Sequence, residues 1–231
     1  MRTYAAVVMV VALSVACERR EEPKQAENVV PAQTPVPATP VPSTPVVETA
    51  MPVDEVDVEF ETARENFVKK DFDGAASELN DAAGRVTAMG DAAGGASRDE
   101  LKKVADDLGR IAGDVKNGTI RDIKKFDSEL AGVEHSLASH HLRAARDAMA
   151  GRDMRAAGRE LNSAAHDVEG IGRRMGKSLD ATTEEGIKYA RTVGGKLVDG
   201  VEQSPADVEK AAKGLEREMD KLGHDIKTHH K

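Results

Sequence analysis

The sequence has few of the residues that usually build a large core or a reactive site. Tryptophan is absent, aromatic residues make up 3% of the 231 residues, and there is one cysteine, Cys17. One cysteine cannot form an internal disulfide bond, so packing alone must hold the fold. Alanine and glycine occupy many of the positions where helices would touch, and small side chains bury little area each. We therefore expect many shallow contacts along long helices.

A strong charge of one sign is also missing, because acidic and basic residues are interleaved along the chain. The net charge is −8, which argues against the basic surface of a nucleic-acid-binding protein. The basic pairs Lys102-Lys103, Lys124-Lys125 and Arg173-Arg174 fit the solvated faces of amphipathic helices. The alternative for these pairs is contact with anionic envelope polymers or lipid headgroups.

The N-terminus is typical of a secretory signal peptide that covers residues 1–16. Arg2 precedes the apolar run 5–16, which is too short to span a bilayer as a helix. The segment Leu13-Ser14-Val15-Ala16-Cys17 resembles a bacterial lipobox, with Ser14 at the position where leucine is usual. This resemblance implies cleavage before Cys17, acylation of that cysteine and anchoring of a lipoprotein in a membrane.

The residues around Cys17 bear on where and how the chain is anchored. Glu18, rather than aspartate, follows the cysteine, which favours the outer membrane, with the protein facing the periplasm. An alternative stays open, since residues 14–16 also fit ordinary signal peptidase, which would release a soluble protein. We favour acylation, because a lone free thiol at the N-terminus of an exported protein would need another purpose.

A proline-rich segment follows the cysteine, with eight of the nine prolines lying between Pro23 and Pro52. Proline lacks a backbone donor and favours extended conformations, so residues 17–52 are predicted to form a disordered linker. At about 3.1 Å per residue, such a linker would hold a folded domain away from the lipid surface. A proline-motif ligand for a partner module is the less favoured alternative.

From residue 53 to 231, apolar residues recur at helical spacing and no segment alternates like a strand. We predict an all-α domain, an elongated bundle of antiparallel helical hairpins. Ser97-Arg98-Asp99-Glu100 has the pattern of a capping box that begins a helix, preceded by a loop over residues 90–95.

Later helices are predicted to extend through Leu179 and Val201. Ser204-Pro205 predicts the start of the last helix, whose apolar residues alternate four and three apart like a coiled-coil seam.

The helical domain contains an internal repeat with a constant offset of 82 residues. The two copies cover about residues 56–89 and 138–171, each predicted as helix, tight turn and helix. Phe67 and Leu79 in the first copy should meet across the turn, as should Met149 and Leu161 in the second. The neighbouring Asn80 and Asn162 are expected to be exposed.

Alanine, leucine and alanine recur in the second helix of each copy, at Ala75, Leu79, Ala82 and at Ala157, Leu161, Ala164. This pattern resembles the second helix of a tetratricopeptide repeat, whose aromatic, glycine and terminal proline positions are not matched. The alanine-rich hairpins also resemble periplasmic helical proteins of the YfdX type. Both resemblances cover only the hairpins and imply helical-hairpin packing.

Histidine is the only candidate for metal binding or acid–base chemistry. No two histidines lie three or four residues apart, and no glutamate stands three residues before one, as helical metal sites require. His140 or His141 should face the apolar side of its helix, and a structural role is favoured for both. The candidates are His135, His140, His141, His166, His224, His229 and His230.

The sequence predicts no catalytic residue, no cofactor and no metal site, because nucleophile-elbow and phosphate-loop patterns are also missing. Its one predicted modification site is lipidation at Cys17. We predict a non-enzymatic cell-envelope lipoprotein that acts as a helical interaction or scaffolding module. Its expected partners are the membrane, through the lipid, and a protein or envelope polymer. The alternative is a ligand- or metal-responsive helical sensor or stress protein, with histidines as the responsive groups.

Overall fold

The computed structural model describes residues 55–93, 95–176 and 179–229. Within these ranges every regular element is a helix, which confirms the all-α prediction. The predicted signal peptide (1–16), Cys17 and the predicted linker (17–52) lie outside the described residues. The described residues form seven helices, namely α1 (Glu55–Val68), α2 (Phe72–Ala93), α3 (Gly95–Asn117), α4 (Ile123–Ala150), α5 (Met154–Arg174), α6 (Ala181–Val198) and α7 (Pro205–His229).

Several helices begin at side chains that satisfy their free amide groups. Asp122 accepts hydrogen bonds from the amides of Lys124 and Lys125, at 2.9 and 3.0 Å, before α4. The Ser204 hydroxyl accepts from the Asp207 amide at 3.2 Å, and Pro205 is the first residue of α7. The predicted start of the last helix is therefore confirmed.

The predicted boundary between α2 and α3 is wrong. Gly90 lies inside α2 and is buried, and a Cβ added there would be 3.3 Å from the Leu101 Cβ. Because glycine has no side chain, α2 can approach α3 closely at this position, where a loop was predicted. Ser97 also does not begin α3, because that helix starts at Gly95 and includes Ser97 in its first turn.

Two later helices end earlier than the apolar pattern predicts. α5 ends at Arg174, and Gly176 follows with a left-handed φ of +62°, a conformation that favours glycine and ends helices. Leu179 therefore lies after α5. Val201 lies beyond α6 and is 50% exposed. The apolar spacing in the sequence continues past both helix ends, so it does not predict where α5 and α6 stop.

The internal repeat is confirmed, and it extends beyond the two hairpins. Shifted by 82 residues, α1 corresponds to the C-terminal half of α4, α2 to α5, α3 to α6, and the N-terminal half of α4 to α7. We call α1, α2, α3 and the N-terminal half of α4 the first unit. The second unit comprises the C-terminal half of α4 with α5, α6 and α7. A single long helix therefore belongs to both units.

Backbone turns and ion pairs repeat at the same offset. Lys70 and Arg152 adopt left-handed φ angles of 65° and 64° in corresponding turns. Arg64 pairs with Asp127 at 2.7 Å in the first unit. The corresponding Arg146 pairs with Glu209 at 3.2 Å in the second. Both pairs join the first and fourth helical segments of their unit.

Each unit has its own apolar core, and α4 contributes to both. The first cluster contains α4 residues Phe126, Leu130 and Leu137, whereas the second contains Ala138 and Leu142. The last helix confirms its predicted seam, since all of its members are buried: Val208, Ala212, Leu215, Met219, Leu222 and Ile226.

The side chains predicted to fasten each hairpin lie in these cores. Phe67 and Leu79 belong to the first cluster, while Leu161 belongs to the second and partly buried Met149 packs against it. Asn80 is exposed as predicted. The prediction for Asn162 is wrong: it is half-buried, and its side chain lies against the Cα of Gly194.

Candidate functional site

Polar side chains with a seven-residue spacing meet between α4 and α5. Glu134 and His141 lie on α4, and Glu160, Asp167 and Arg174 lie on α5. Seven residues are close to two helical turns, so each set forms one stripe along its helix. We call these five residues the polar seam.

The two stripes contact each other in antiparallel order. The Arg174 Nε donates to the Glu134 Oε1 at 2.7 Å, and each of these side chains is 2% exposed. The His141 Nδ1 lies 2.7 Å from the Glu160 Oε2. The His141 Nε2 lies 4.0 Å from the Asp167 Oδ2. The imidazole is thus held between two carboxylates of α5.

Helix α1 adds acidic groups to the seam and so joins the first unit to α5. The Glu61 Oε1 accepts from the Arg174 Nη2 at 3.2 Å and lies 3.5 Å from the Arg173 Nη1. Nearby, the His166 Nε2 is 3.4 Å from the Asp57 Oδ2. These contacts place carboxylates of α1 opposite cationic or titratable groups of α5.

Burial dominates the electrostatics of Glu134. Loss of water raises the pKa of this carboxyl to about 7, although the Arg174 guanidinium acts in the opposite direction. A Cβ on Gly170 would lie 2.7 Å from the Glu134 Oε1, so glycine leaves the room that this carboxylate occupies. The Glu134 Oε2 and the Arg174 Nη1 are buried and have no hydrogen-bond partner among the described residues.

His140 lies next to the seam and is buried like His141. The two rings are 5.6 Å apart between centroids, and the His140 Nδ1 lies 3.2 Å from the Arg143 Nη2. Burial lowers the pKa of His140, with neighbouring His141 acting in the same direction. The structure therefore places both histidines inside the protein.

The remaining histidines are dispersed. His135 is half-buried, and a Cβ on Gly223 would lie 2.8 Å from its Nε2. His224 is exposed, and the side chains of His229 and His230 lie outside the described residues. Among the described residues, no three histidine, cysteine, aspartate or glutamate side chains are placed to hold a metal ion.

Two of the open grooves on the surface of the described residues lie between neighbouring helices. The α5–α6 groove has a volume of about 430 Å³ and is lined by Glu169, Leu179, Glu184, Ile187, Lys188, Arg191 and Thr192. The α1–α2 groove has a volume of about 600 Å³ and is lined by Glu59, Glu78, Asp81, Gly84, Arg85 and Ala88.

The chemistry of the groove walls is ionic. Arg191 pairs with Glu169 in the first groove, and the Thr192 hydroxyl donates to the Lys188 carbonyl at 2.8 Å. In the second groove, Arg85 pairs with Glu59 and also with Glu55. Such walls can bind charged groups of another molecule.

Reasoning from single histidines missed the polar seam. The useful signal was the seven-residue spacing of unlike polar residues, namely Glu134 with His141 and Glu160 with Asp167 and Arg174. Each residue alone looks like part of a solvated helix face. Their contact becomes evident only when α4 and α5 are seen to pack against each other.

None of the described helices is long and apolar enough to cross a membrane. Comparison of the chain with known protein families, with curated proteins and with solved structures finds no match.

Proposed function

We propose that this protein is a non-enzymatic lipoprotein of the cell envelope whose helical domain binds another macromolecule. The form of the surface grooves supports this proposal. Both are open channels between adjacent helices with charged side chains along their walls. A groove of this kind suits a helix or an extended segment that adds its own face to the bundle. Acylation of Cys17 and the linker over 17–52 would present this surface away from the membrane.

Binding of a partner is tested by crosslinking in intact cells. The tagged full-length protein is treated with an amine-reactive crosslinker, since exposed lysines such as Lys102 and Lys188 occur on several helices. We expect a discrete and reproducible crosslinked product that contains the protein and a second component. A protein that remains entirely uncrosslinked, or that gives only a continuous smear, would contradict the interaction role.

The anchor is tested separately by fractionation. Cys17→Ser should move the protein from the detergent-extracted membrane fraction to the soluble fraction, because it removes the acylated thiol. A wild-type protein that is already soluble and has no lipid mass would overturn the lipoprotein assignment.

A second candidate is a ligand- or metal-responsive sensor, and the adjacent buried His140 and His141 favour it. Their burial and the contact of His141 with Glu160 couple any change in their protonation or ligation to packing between α4 and α5. Under this alternative, Zn²⁺ or Ni²⁺ should raise the melting temperature of the wild type but not of His141→Ala. Equal melting temperatures with and without metal would count against a metal-responsive role.

A further inference from the structure

We propose that the α1–α2 groove docks a basic amphipathic helix of a partner protein. This inference rests on the proposed function and specifies the chemistry of the partner. Because the units repeat, each position in the groove has a counterpart in the second unit, and the two surfaces can be compared directly. Gly84 corresponds to His166, Arg85 to Asp167, and Ala88 to Gly170, all 82 residues apart.

In the second unit, the counterpart surface is covered by helices of the first unit. Asp57 of α1 lies against His166 at 3.4 Å. The Glu134 carboxylate of α4 occupies the space beside Gly170. Side chains of α1 and α4 therefore already lie over this surface in one of its two occurrences in the chain.

In the first unit, the same surface is open. Gly84 and Ala88 are exposed, and a Cβ added to Gly84 would have no described atom within 4 Å. The repeat thus contains one occupied helix-docking surface and one that the described residues leave uncovered.

The two surfaces differ in the balance of their charges, although the occupied one also carries the acidic Glu160 and Asp167. The occupied surface presents His166, Arg173 and Arg174 to the acidic groups Asp57 and Glu61. In the open groove, acidic residues dominate instead. Among the described residues that line it, Glu59, Glu78 and Asp81 stand beside one cation, Arg85. Asp91, which pairs with Arg98 at 3.3 Å, stands at the position that corresponds to Arg173. Charge complementarity therefore calls for a basic occupant.

The side chain of Glu59 also indicates unsatisfied negative charge at the groove. The residue is 7% exposed and lines the groove. Its Oε1 pairs with Arg85. Its Oε2 is buried and has no hydrogen-bond partner within the described part of the chain. Arg85 thus satisfies only one oxygen of the Glu59 carboxylate, which adds to the negative charge that the groove offers a cation.

A second copy of this chain fits the groove less well. In the second unit, α7 takes the place of α4, so it is the helix that a second copy would present. Where α4 has Ala131 and Ala138, α7 has the exposed charged residues Lys213 and Asp220. This face carries both signs, which suits solvent rather than an acidic groove.

Synthetic peptides and matched protein variants test the docking site. The probe is an amphipathic helical peptide with lysine on one face and leucine and alanine on the other. Its control has glutamate in place of every lysine. The full-length protein with Glu78→Gln and Asp81→Asn removes two groove charges, while Asp106→Asn with Asp107→Asn makes the same charge change on exposed α3 positions.

Fluorescence anisotropy of the labelled peptides gives the dissociation constants. We expect the lysine peptide to bind the wild type and the α3 variant equally, and the groove variant at least fivefold more weakly. That factor is a loss of about 1 kcal/mol. The glutamate peptide should not bind. Equal weakening by both variants, or no binding of the lysine peptide to wild type, would overturn the docking site. Helical circular dichroism establishes that each variant is folded.

Crosslinking in cells separates this inference from the proposed function. If the groove variant still gives the wild-type crosslinked product, the docking site is wrong although the interaction role stands. If the wild type gives no product, the interaction role itself fails. Loss of the product in the groove variant but not in the α3 variant supports both.

Discussion

Single residues in the polar seam act as matched sets rather than as independent charges. Gly170 leaves room for the Glu134 carboxylate, and Arg174 neutralises it. Buried ion pairs seldom add much net stability, because the cost of removing water offsets the attraction. Removing one partner is a different matter, since it leaves a buried charge uncompensated. We therefore expect the seam to favour this pairing and register of α4 and α5.

Glu134 should make the fold less stable as the pH rises. Its pKa is about 7 in the folded protein, against 4.5 for an ordinary glutamate. Between these values the folded state binds the proton more tightly. The stabilisation is therefore fully present below about pH 4.5 and is lost as the pH rises through 7. Glu134→Gln removes this titration. Between about pH 5 and 7.5, the unfolding free energy of this variant should therefore fall by about 2 kcal/mol less than that of the wild type.

Urea denaturation at the two pH values measures this difference. Glu185→Gln, at an exposed position on α6, is the control and should retain the wild-type dependence on pH. The same pH dependence in Glu134→Gln and the wild type would show that this carboxyl titrates as it does in the unfolded chain.

His140 should have the opposite effect on stability. Burial lowers its pKa below the ordinary value of 6.5, so the unfolded chain binds the proton more tightly. The resulting destabilisation is absent at high pH and appears as the pH falls through 6.5. Leu222 occupies the corresponding position in the second unit. His140→Leu should therefore reduce the loss of unfolding free energy on acidification, measured by urea denaturation. His224→Leu, at an exposed site, should leave the loss unchanged.

At the scale of helices, the two units differ where their second and third helices cross. A Cβ on Gly158 of α5 would lie 2.6 Å from the Gly194 carbonyl oxygen of α6. The corresponding residues in the first unit are the buried alanines Ala76 and Ala112. The backbones of α5 and α6 thus approach each other where only glycine fits, whereas α2 and α3 accommodate methyl groups.

Alanine substitution distinguishes a glycine needed for packing from one that only weakens a helix. Gly158→Ala should destabilise the protein by about 1–3 kcal/mol, because backbone atoms of α6 must move. Gly113→Ala in α3 has no atom within 4 Å of the new Cβ. It should stabilise by up to about 1 kcal/mol through helix propensity. Thermal melting followed by circular dichroism checks both signs, and destabilisation by Gly113→Ala or stabilisation by Gly158→Ala would contradict the account.

The leucines at corresponding positions of α2 and α5 should stabilise the helical hairpins to which these helices belong. Leu79 and Leu161 are both completely buried, so truncation to alanine removes transfer energy and leaves a cavity. Each substitution should cost about 2–5 kcal/mol of unfolding free energy. Chemical denaturation measures the loss. Asn80→Ala and Arg159→Ala are the controls, because both side chains are exposed. Equal, negligible effects at all four positions would mean that the hairpins are not packed units.

Local sequence signals predicted the helices better than their ends. The cap at Ser204 and Pro205 and the heptad-like spacing of α7 depend on neighbouring residues, and both were confirmed. Gly90 was misread as part of a loop because its role depends on contact with Leu101 of another helix. The polar seam was missed for the same reason, since its partners are distant in the chain.

For the molecule as a whole, the repeat predicted from the two hairpins proved to govern all described helices. Four helical segments form each unit, and α4 serves as the last segment of one and the first of the next. The sequence similarity is visible only where the hairpins match closely. Elsewhere, different residues fill equivalent places, as with His140 and Leu222 or His141 and Gly223, so the wider repeat required the structure.

This arrangement explains why one end of the repeat is open. The second unit is covered by the first, and the mixed charges on α7 suit exposure to solvent. The described residues of the first unit leave a groove with acidic walls uncovered. We expect partner binding to take place at that groove.

Site-specific photocrosslinking in cells tests this claim most directly. A photoreactive amino acid is placed at Ala88 in the α1–α2 groove or, as a control, at the exposed Ala206 of α7. We expect a discrete crosslinked product from the Ala88 position and none from Ala206. No product at Ala88, or the same product from both positions, would contradict it.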